Sequence, residues 1–184
     1  MPPAIRFETG GSRKRSSLMA RSLNSGAVPG QSEQLAEDLV AATDEAIAFA
    51  EQLDEERWVL QPCGSDRRSV AQVFHHMAVW LRTGAQWVES ALAGVEVKTT
   101  PSEQDHVNER DAAALTEPDR EETLLLLREL RDEMAVRLRE LSDEELARTT
   151  FWAGPKQDFT AAQFAGLAAV HTRRHLADIK TAVG

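Results

Sequence analysis

The stretch TAAQFAGLAAVHTRRHLADIKTAV, residues 160–183, decides how the rest of the chain is read. Phe164, Leu167, Ala168, Ile179 and Ala182 share one face when successive residues are rotated by about 100°. Thr160 and Gln163 match a capping box at the start of that helix. His171 and His175 fall within about 40° of each other, inside the apolar stripe, and Arg173 points to the opposite side. An i, i+4 pair brings side chains to about 5–6 Å, close enough to share one ion. Burying both rings without a ligand is hard, because each leaves polar nitrogens to satisfy.

Working outward, Leu35, Leu39, Ala42, Ala46, Phe49 and Leu53 form the stripe of a first helix, with Ser32 expected to cap it. LQPCGSDRR breaks that helix. A second helix starts at SVAQ, where Ser69 and Gln72 make another capping box, and Gly94 stops it. A third begins near TEPD, with Pro118 suited to the first turn, and buries Leu127, Leu130, Met134, Leu138 and Leu141. FWAGPKQDF reads as a loop before the fourth helix. Residues 93–117 form a long connection, with a short helix expected around Val107–Leu115. No strand alternation lasts long enough to build a sheet. The predicted fold is all-α, a four-helix bundle with a long connection between helices 2 and 3. That connection can span the bundle and let those two helices run parallel.

The composition agrees with one domain carrying a tail. The chain has 184 residues, 42% of them hydrophobic, and a net charge of −9. Residues 1–31 hold Arg6, Arg13, Lys14, Arg15 and Arg21 against Glu8 alone. With +4 there, the remaining residues 32–184 carry −13. The tail, rich in Gly, Ser, Pro and Arg, is expected to be disordered, and residues 32–184 to form the bundle. The tail lacks the apolar core of a secretory signal, and Met19 is an alternative start of translation. Cys63 is the one cysteine, so no internal disulfide forms, which fits a reducing cytoplasm. No run of about 18 apolar residues offers a membrane span, and the acidity argues against nucleic acid as a partner.

The adjacent histidines of the second helix face different ways. His75 belongs with Gln72, Arg82, Gln86 and Glu89 on the polar face. His76 sits at the edge of the stripe made by Val73, Met77, Trp80, Leu81 and Trp87. The bundle interior should therefore receive His76, His171 and His175, while His106 stays on the surface. Three neutral imidazoles suit Zn²⁺, Ni²⁺ or Fe²⁺ with coordination positions left open. The spacing alone does not make helices two and four neighbours, and two core histidines satisfied by hydrogen bonds are the alternative.

At these residues the sequence resembles the DinB-like superfamily of four-helix-bundle metalloenzymes. SVAQVFHHMA resembles the family's second-helix motif, in which the later histidine is the ligand. HTRRHLADI resembles the fourth-helix motif that supplies the other two, and HVNERDAAA, with Asn108 at its centre, resembles a pocket segment of some members. The resemblance spans roughly residues 32–183. There are departures: Arg68 stands where Trp is common, Val79 where an acid is common, and Asp178 where Gln is common. Asp178 lies one turn beyond His175 and could orient a ligand or water.

The resemblance implies a cytoplasmic, metal-dependent hydrolase or thiol-dependent transferase, with one divalent metal ion and a low-molecular-weight thiol such as mycothiol or bacillithiol. The expected partner is a small-molecule substrate, and no catalytic side chain of the protein itself is evident. A non-enzymatic bundle that holds metal or sequesters a small molecule is the alternative. Only EQDH fits the Glu-x-x-His pattern of di-iron bundles, and no HExxH motif is present. Trp152 and Leu125, read as exposed, leave room for a homodimer.

Overall fold

The computed structural model describes residues 30–63 and 67–184. The expectations for the basic tail and the alternative start at Met19 fall on residues outside that range. Four long helices dominate: α1 (Gln31–Glu51), α3 (Val70–Ala93), α5 (Arg120–Arg139) and α7 (Ala161–Val183). Between them lie two single-turn helices, α2 (Glu55–Trp58) and α6 (Asp143–Leu146), the crossing helix α4 (Pro101–Ala114), and a hairpin of β1 (Thr149–Trp152) and β2 (Gln157–Thr160).

Both expected capping boxes form. The Ser69 hydroxyl accepts from the Gln72 N–H while the Gln72 side chain accepts from the Ser69 N–H, and Thr160 and Gln163 do the same for α7. Each cap satisfies amides that the first turn leaves without helical partners, a stabilisation of about 1 kcal/mol. Gly94 ends α3 in the left-handed conformation, φ 66°, which costs a residue without a Cβ little.

Four local expectations need correction. Ser32 lies inside the first turn of α1, whose N-cap is Gly30, without a side-chain cap bond. Pro118 precedes helix α5 rather than opening it. Asp119 is the N-cap and accepts from the Glu122 N–H, and the Pro118 carbonyl accepts from the Trp58 indole at 3.2 Å. The short helix expected at Val107–Leu115 is longer and starts earlier, because Thr100 and Glu103 form a further capping box with Pro101 in the first turn. The expected loop at FWAGPKQDF contains the hairpin, with Thr149 opposite Thr160 and Trp152 opposite Gln157. Strands of four residues are too short to leave a periodic signal. They persist through docking: Val97 N–H donates to Phe151 O and Ala153 N–H to Val97 O, both at 2.9 Å.

Helix α1 packs against α5 and α7, and α3 packs against the same two, so α1 and α3 occupy one diagonal of the bundle. Side-chain pairs give the directions. Glu33 meets Arg139, Asp44 meets Arg131 and Glu51 meets Arg128, so α1 and α5 are antiparallel. Asp38 meets Arg173 and Glu45 meets Lys180, so α1 and α7 are parallel. Trp87 touches Phe164 and His76 touches His171, so α3 and α7 are antiparallel. Helices α3 and α5 consequently run parallel, and the long connection carries the chain back along the bundle. Its α4 returns to the start of α3, where the Gln72 amide donates to Ala112 O at 2.9 Å and Leu115 O at 3.1 Å.

The core is filled by Leu39, Phe74, Met77, Leu81, Leu127, Leu138 and Phe164, all fully buried. Gly84 of α3 faces Ala168 of α7, and a Cβ placed on it would sit 3.6 Å from Ala168 Cβ, an ordinary contact distance.

Candidate functional site

His76 on α3 meets His171 and His175 on α7 at one point. His171 Nε2 lies 3.2 Å from His76 Nε2 and 3.1 Å from His175 Nε2. One nitrogen from each ring lies within 4.8 Å of the others. Helix geometry explains the convergence: one turn separates His171 from His175, and the antiparallel packing places His76 across from them. A neutral Nε2 has either one proton or one lone pair, so His171 Nε2 cannot complete two good hydrogen bonds at once. His171 Nδ1 is also buried without a hydrogen-bond partner among the described residues.

Electrostatics favours the neutral form of the His171 ring. Burial, above all, pushes the His171 pKa far below the ordinary imidazole value. The charges of His175, His76, Arg68 and Arg174 act in the same direction. Trp80, one turn beyond His76 on α3, stacks on His171 with ring centroids 4.2 Å apart and planes 11° apart. The indole shields the ring from water and fixes its orientation.

The three histidines lie in the wall of a cleft of about 500 Å³, within the usual range of small-molecule sites. Arg68, from the segment before α3, and Arg174 of α7 line it beside the histidines. Trp87 and Trp152 line its other part, their centroids 4.8 Å apart. Helix α4 adds Gln104 and Asn108 to the lining, and the two are joined by a 3.0 Å bond from the Gln104 amide to Asn108 Oδ1. The hairpin turn contributes Gly154. A Cβ there would fall 3.0 Å from Trp152 Nε1 and 3.3 Å from Thr99 O, so a side chain at this position would require the indole or the strand to give by a few tenths of an ångström. Trp152 Nε1 donates to that Thr99 carbonyl at 3.0 Å.

The sequence-based site residues separate clearly. His76, His171 and His175 are brought together, and Asn108 lines their cleft. Asp178 is half-buried on α7 and is not part of the cleft lining. His75 is not part of that cleft lining; it lines a separate groove with Pro118, Glu122 and Leu126, and burial lowers its pKa. His106 is exposed beside Glu109. Trp152, expected on the surface, is half-buried among Trp87, Phe159 and Phe164, because the hairpin folds its ring onto α3 and α7. Leu125 is exposed as expected. Sequence reasoning placed Trp80 and Trp87 in the apolar stripe without giving them a site role, and it did not single out Arg174. The spacing of His76 and Trp80 and the adjacency of Arg174 and His175 were the available signals.

A diagonal four-helix bundle with three convergent imidazoles and an aromatic cleft defines the class. The chain belongs to the DinB superfamily, whose family model matches residues 38–179. Its fold is similar to that of YfiT from Bacillus subtilis, described as a probable metal-dependent hydrolase with an unusual four-helix bundle topology. The TM-score is 0.69 at 20% identity, covering 94% of this chain and 92% of YfiT. An uncharacterised protein from Escherichia coli UTI89 is similar over 84% of this chain and 94% of its own, with TM-score 0.65 and 11% identity. No curated protein matches the chain. Among the described residues, no helix is long and apolar enough to cross a membrane.

Proposed function

We propose that His76, His171 and His175 hold one divalent metal ion and that the protein is a metal-dependent enzyme acting on a small electrophile, with water or a low-molecular-weight thiol as nucleophile. The observation that carries this reading is the convergence of three Nε2 atoms separated by 3.1 and 3.2 Å where their distances are resolved. Two imidazole nitrogens each about 2.0–2.1 Å from one ion are about 2.8–3.0 Å apart in cis-octahedral geometry and about 3.3–3.4 Å apart in tetrahedral geometry, which bracket these distances. Neutral rings are the form that ligates, and the buried environment of His171 maintains that form. The hydrolytic description of YfiT supports water as nucleophile. Resemblance to thiol-dependent members of the superfamily supports mycothiol or bacillithiol.

Bound at the three histidines, a divalent ion supplies Lewis acidity to an oxygen or sulfur group. The chain's own residues do the rest. Trp80 holds the His171 ring in plane, the indoles of Trp87 and Trp152 offer a flat apolar wall, and Gln104 and Asn108 offer amides to a polar substrate group.

The test is metal analysis of the untagged full chain, followed by stripping, reloading with Zn²⁺, Ni²⁺, Fe²⁺ or Mn²⁺, and a turnover screen. Simple esters and amides are tried without thiol, and halides and epoxides with mycothiol, bacillithiol or glutathione. Metal-dependent turnover that disappears in His175→Ala supports the enzyme, and the co-substrate required assigns the nucleophile. Ligand capture without turnover would support a sequestering protein instead. Wild-type protein that cannot be loaded with any of these ions would refute the metal site.

A further inference from the structure

One ring nitrogen of the candidate metal centre has no support of the usual kind. A metal-bound imidazole normally donates its other ring N–H to a carboxylate, a carbonyl or water, which fixes the tautomer and the plane of the ring. With His171 Nε2 turned toward His76 and His175, the neutral ring that ligates carries its proton on Nδ1. His171 Nδ1 is buried and has no hydrogen-bond partner among the described residues. The plane of the ring is set instead by Trp80, parallel to within 11° at a centroid distance of 4.2 Å. Trp80 Nε1 is also buried without a hydrogen-bond partner among the described residues. A buried N–H left unpaired is unfavourable, and leucine or phenylalanine would fill the position without one. Packing alone therefore does not account for an indole here, whereas a broad flat face against the imidazole does. The indole is held in turn by Trp87, 6% exposed, which meets it edge to face at 5.2 Å and 82°. Trp80 lies one turn after His76, so α3 supplies one candidate ligand and the platform for another on α7.

We propose that Trp80 is a positioning residue of the metal centre: its indole takes the place of the missing hydrogen bond at His171 and thereby sets the affinity for the ion. This role rests on the metal-binding reading, and it concerns affinity rather than the choice of nucleophile. The Cβ–Cγ torsion of a histidine is broad, so an unstacked ring spreads its Nε2 over several positions. A parallel indole at van der Waals contact blocks that rotation and keeps Nε2 aimed at the point shared with His76 and His175. Removing a group that orients a metal-bound imidazole weakens metal binding by about 10–100-fold, and the same range is expected for loss of the indole.

The test titrates the metal-stripped full chain with Zn²⁺ against a chromogenic chelator, and with Co²⁺ by visible absorption. Trp80→Leu should bind Zn²⁺ about tenfold more weakly or worse and alter the Co²⁺ bands, whereas Trp80→Phe, which keeps a flat ring, should recover most of the loss. The helical circular dichroism of both metal-free variants should match the wild type, which separates positioning from folding. In the wild type, proton resonances of the His171 ring should lie upfield of those of the exposed His106, through the indole ring current, and should remain upfield after Zn²⁺ loading. Equal losses in the Leu and Phe variants overturn the proposal, because side-chain volume rather than a flat face would then matter. Should Trp80→Leu fail to fold, the wild-type spectrum decides: loss of the upfield shift on loading means that the stack does not survive coordination, and overturns the proposal as well. Wild-type protein that takes up neither ion removes the metal reading and this role together. Wild-type Zn²⁺ affinity and Co²⁺ bands in Trp80→Leu remove this role alone.

Discussion

Adjacent histidines on one helix point about 100° apart, and the bundle converts that rotation into two environments. His76 reaches α7 and the convergent imidazoles, whereas His75 lines a separate groove with Glu122 and Leu126 of α5. Substituting His76→Ala should reduce bound metal sharply, and His75→Ala should retain it, with metal content per chain measured by elemental analysis. Equal retention in the two variants would remove His76 from the ligand set. The rotation was legible from the apolar stripe of the second helix alone. The role of Trp80 was not, because an indole in a stripe reads as core until the facing helix supplies a ring for it to stack on.

Among the helices, α3 has the most telling local feature, a buried glycine in its middle. Gly84 faces Ala168 and Met134, and an added Cβ would meet them at 3.6 and 3.8 Å, ordinary contact distances. Glycine in a helix interior is less favourable than alanine by about 0.5–1 kcal/mol. Gly84→Ala should therefore raise stability by about that amount in denaturant unfolding, with the cleft unchanged. A loss of stability would mean that α3 and α7 cannot tolerate even one methyl between them. Helix starts were readable wherever a Ser or Thr preceded a Gln by three residues, as at Ser69 and Thr160. The true start of α4 was overlooked although Thr100 and Glu103 obey the same rule, since its polar face offered no apolar stripe to draw attention. The paired α1 and α7 are joined at their surface by Asp38 with Arg173, which lowers the Asp38 pKa, and by Lys180 with Glu45 at 2.7 Å. Such exposed pairs contribute under about 1 kcal/mol each, so buried apolar area holds the helices together.

For the whole molecule, the hydrophobic core of the described residues begins at Ala36 and ends at Ile179. Deleting residues 1–29 should leave the thermal midpoint within a few degrees, measured by the helical circular dichroism signal. A large fall would show that the basic segment contributes packing of its own. The same scale explains how the cleft arises. Helices α3 and α7 supply the histidines, α4 adds Gln104 and Asn108, and the β1–β2 hairpin adds Trp152 and Gly154. Each piece alone would present its apolar groups to water.

The sequence by itself determined four apolar stripes, their principal caps, the long second connection and the facing of His76, His171 and His175, because helical periodicity and capping act over a few residues. The adjacency of α3 and α7 was decided only in the tertiary structure, since a stripe states that a face is buried and not which helix buries it. Trp152 and Arg174 likewise gained their places from long-range packing. The hairpin depends on contacts with Val97 and the helix ends, more than fifty residues away for Trp152. Local rules thus specify which groups are available, and only packing between distant segments brings imidazole, guanidinium and indole into one cleft.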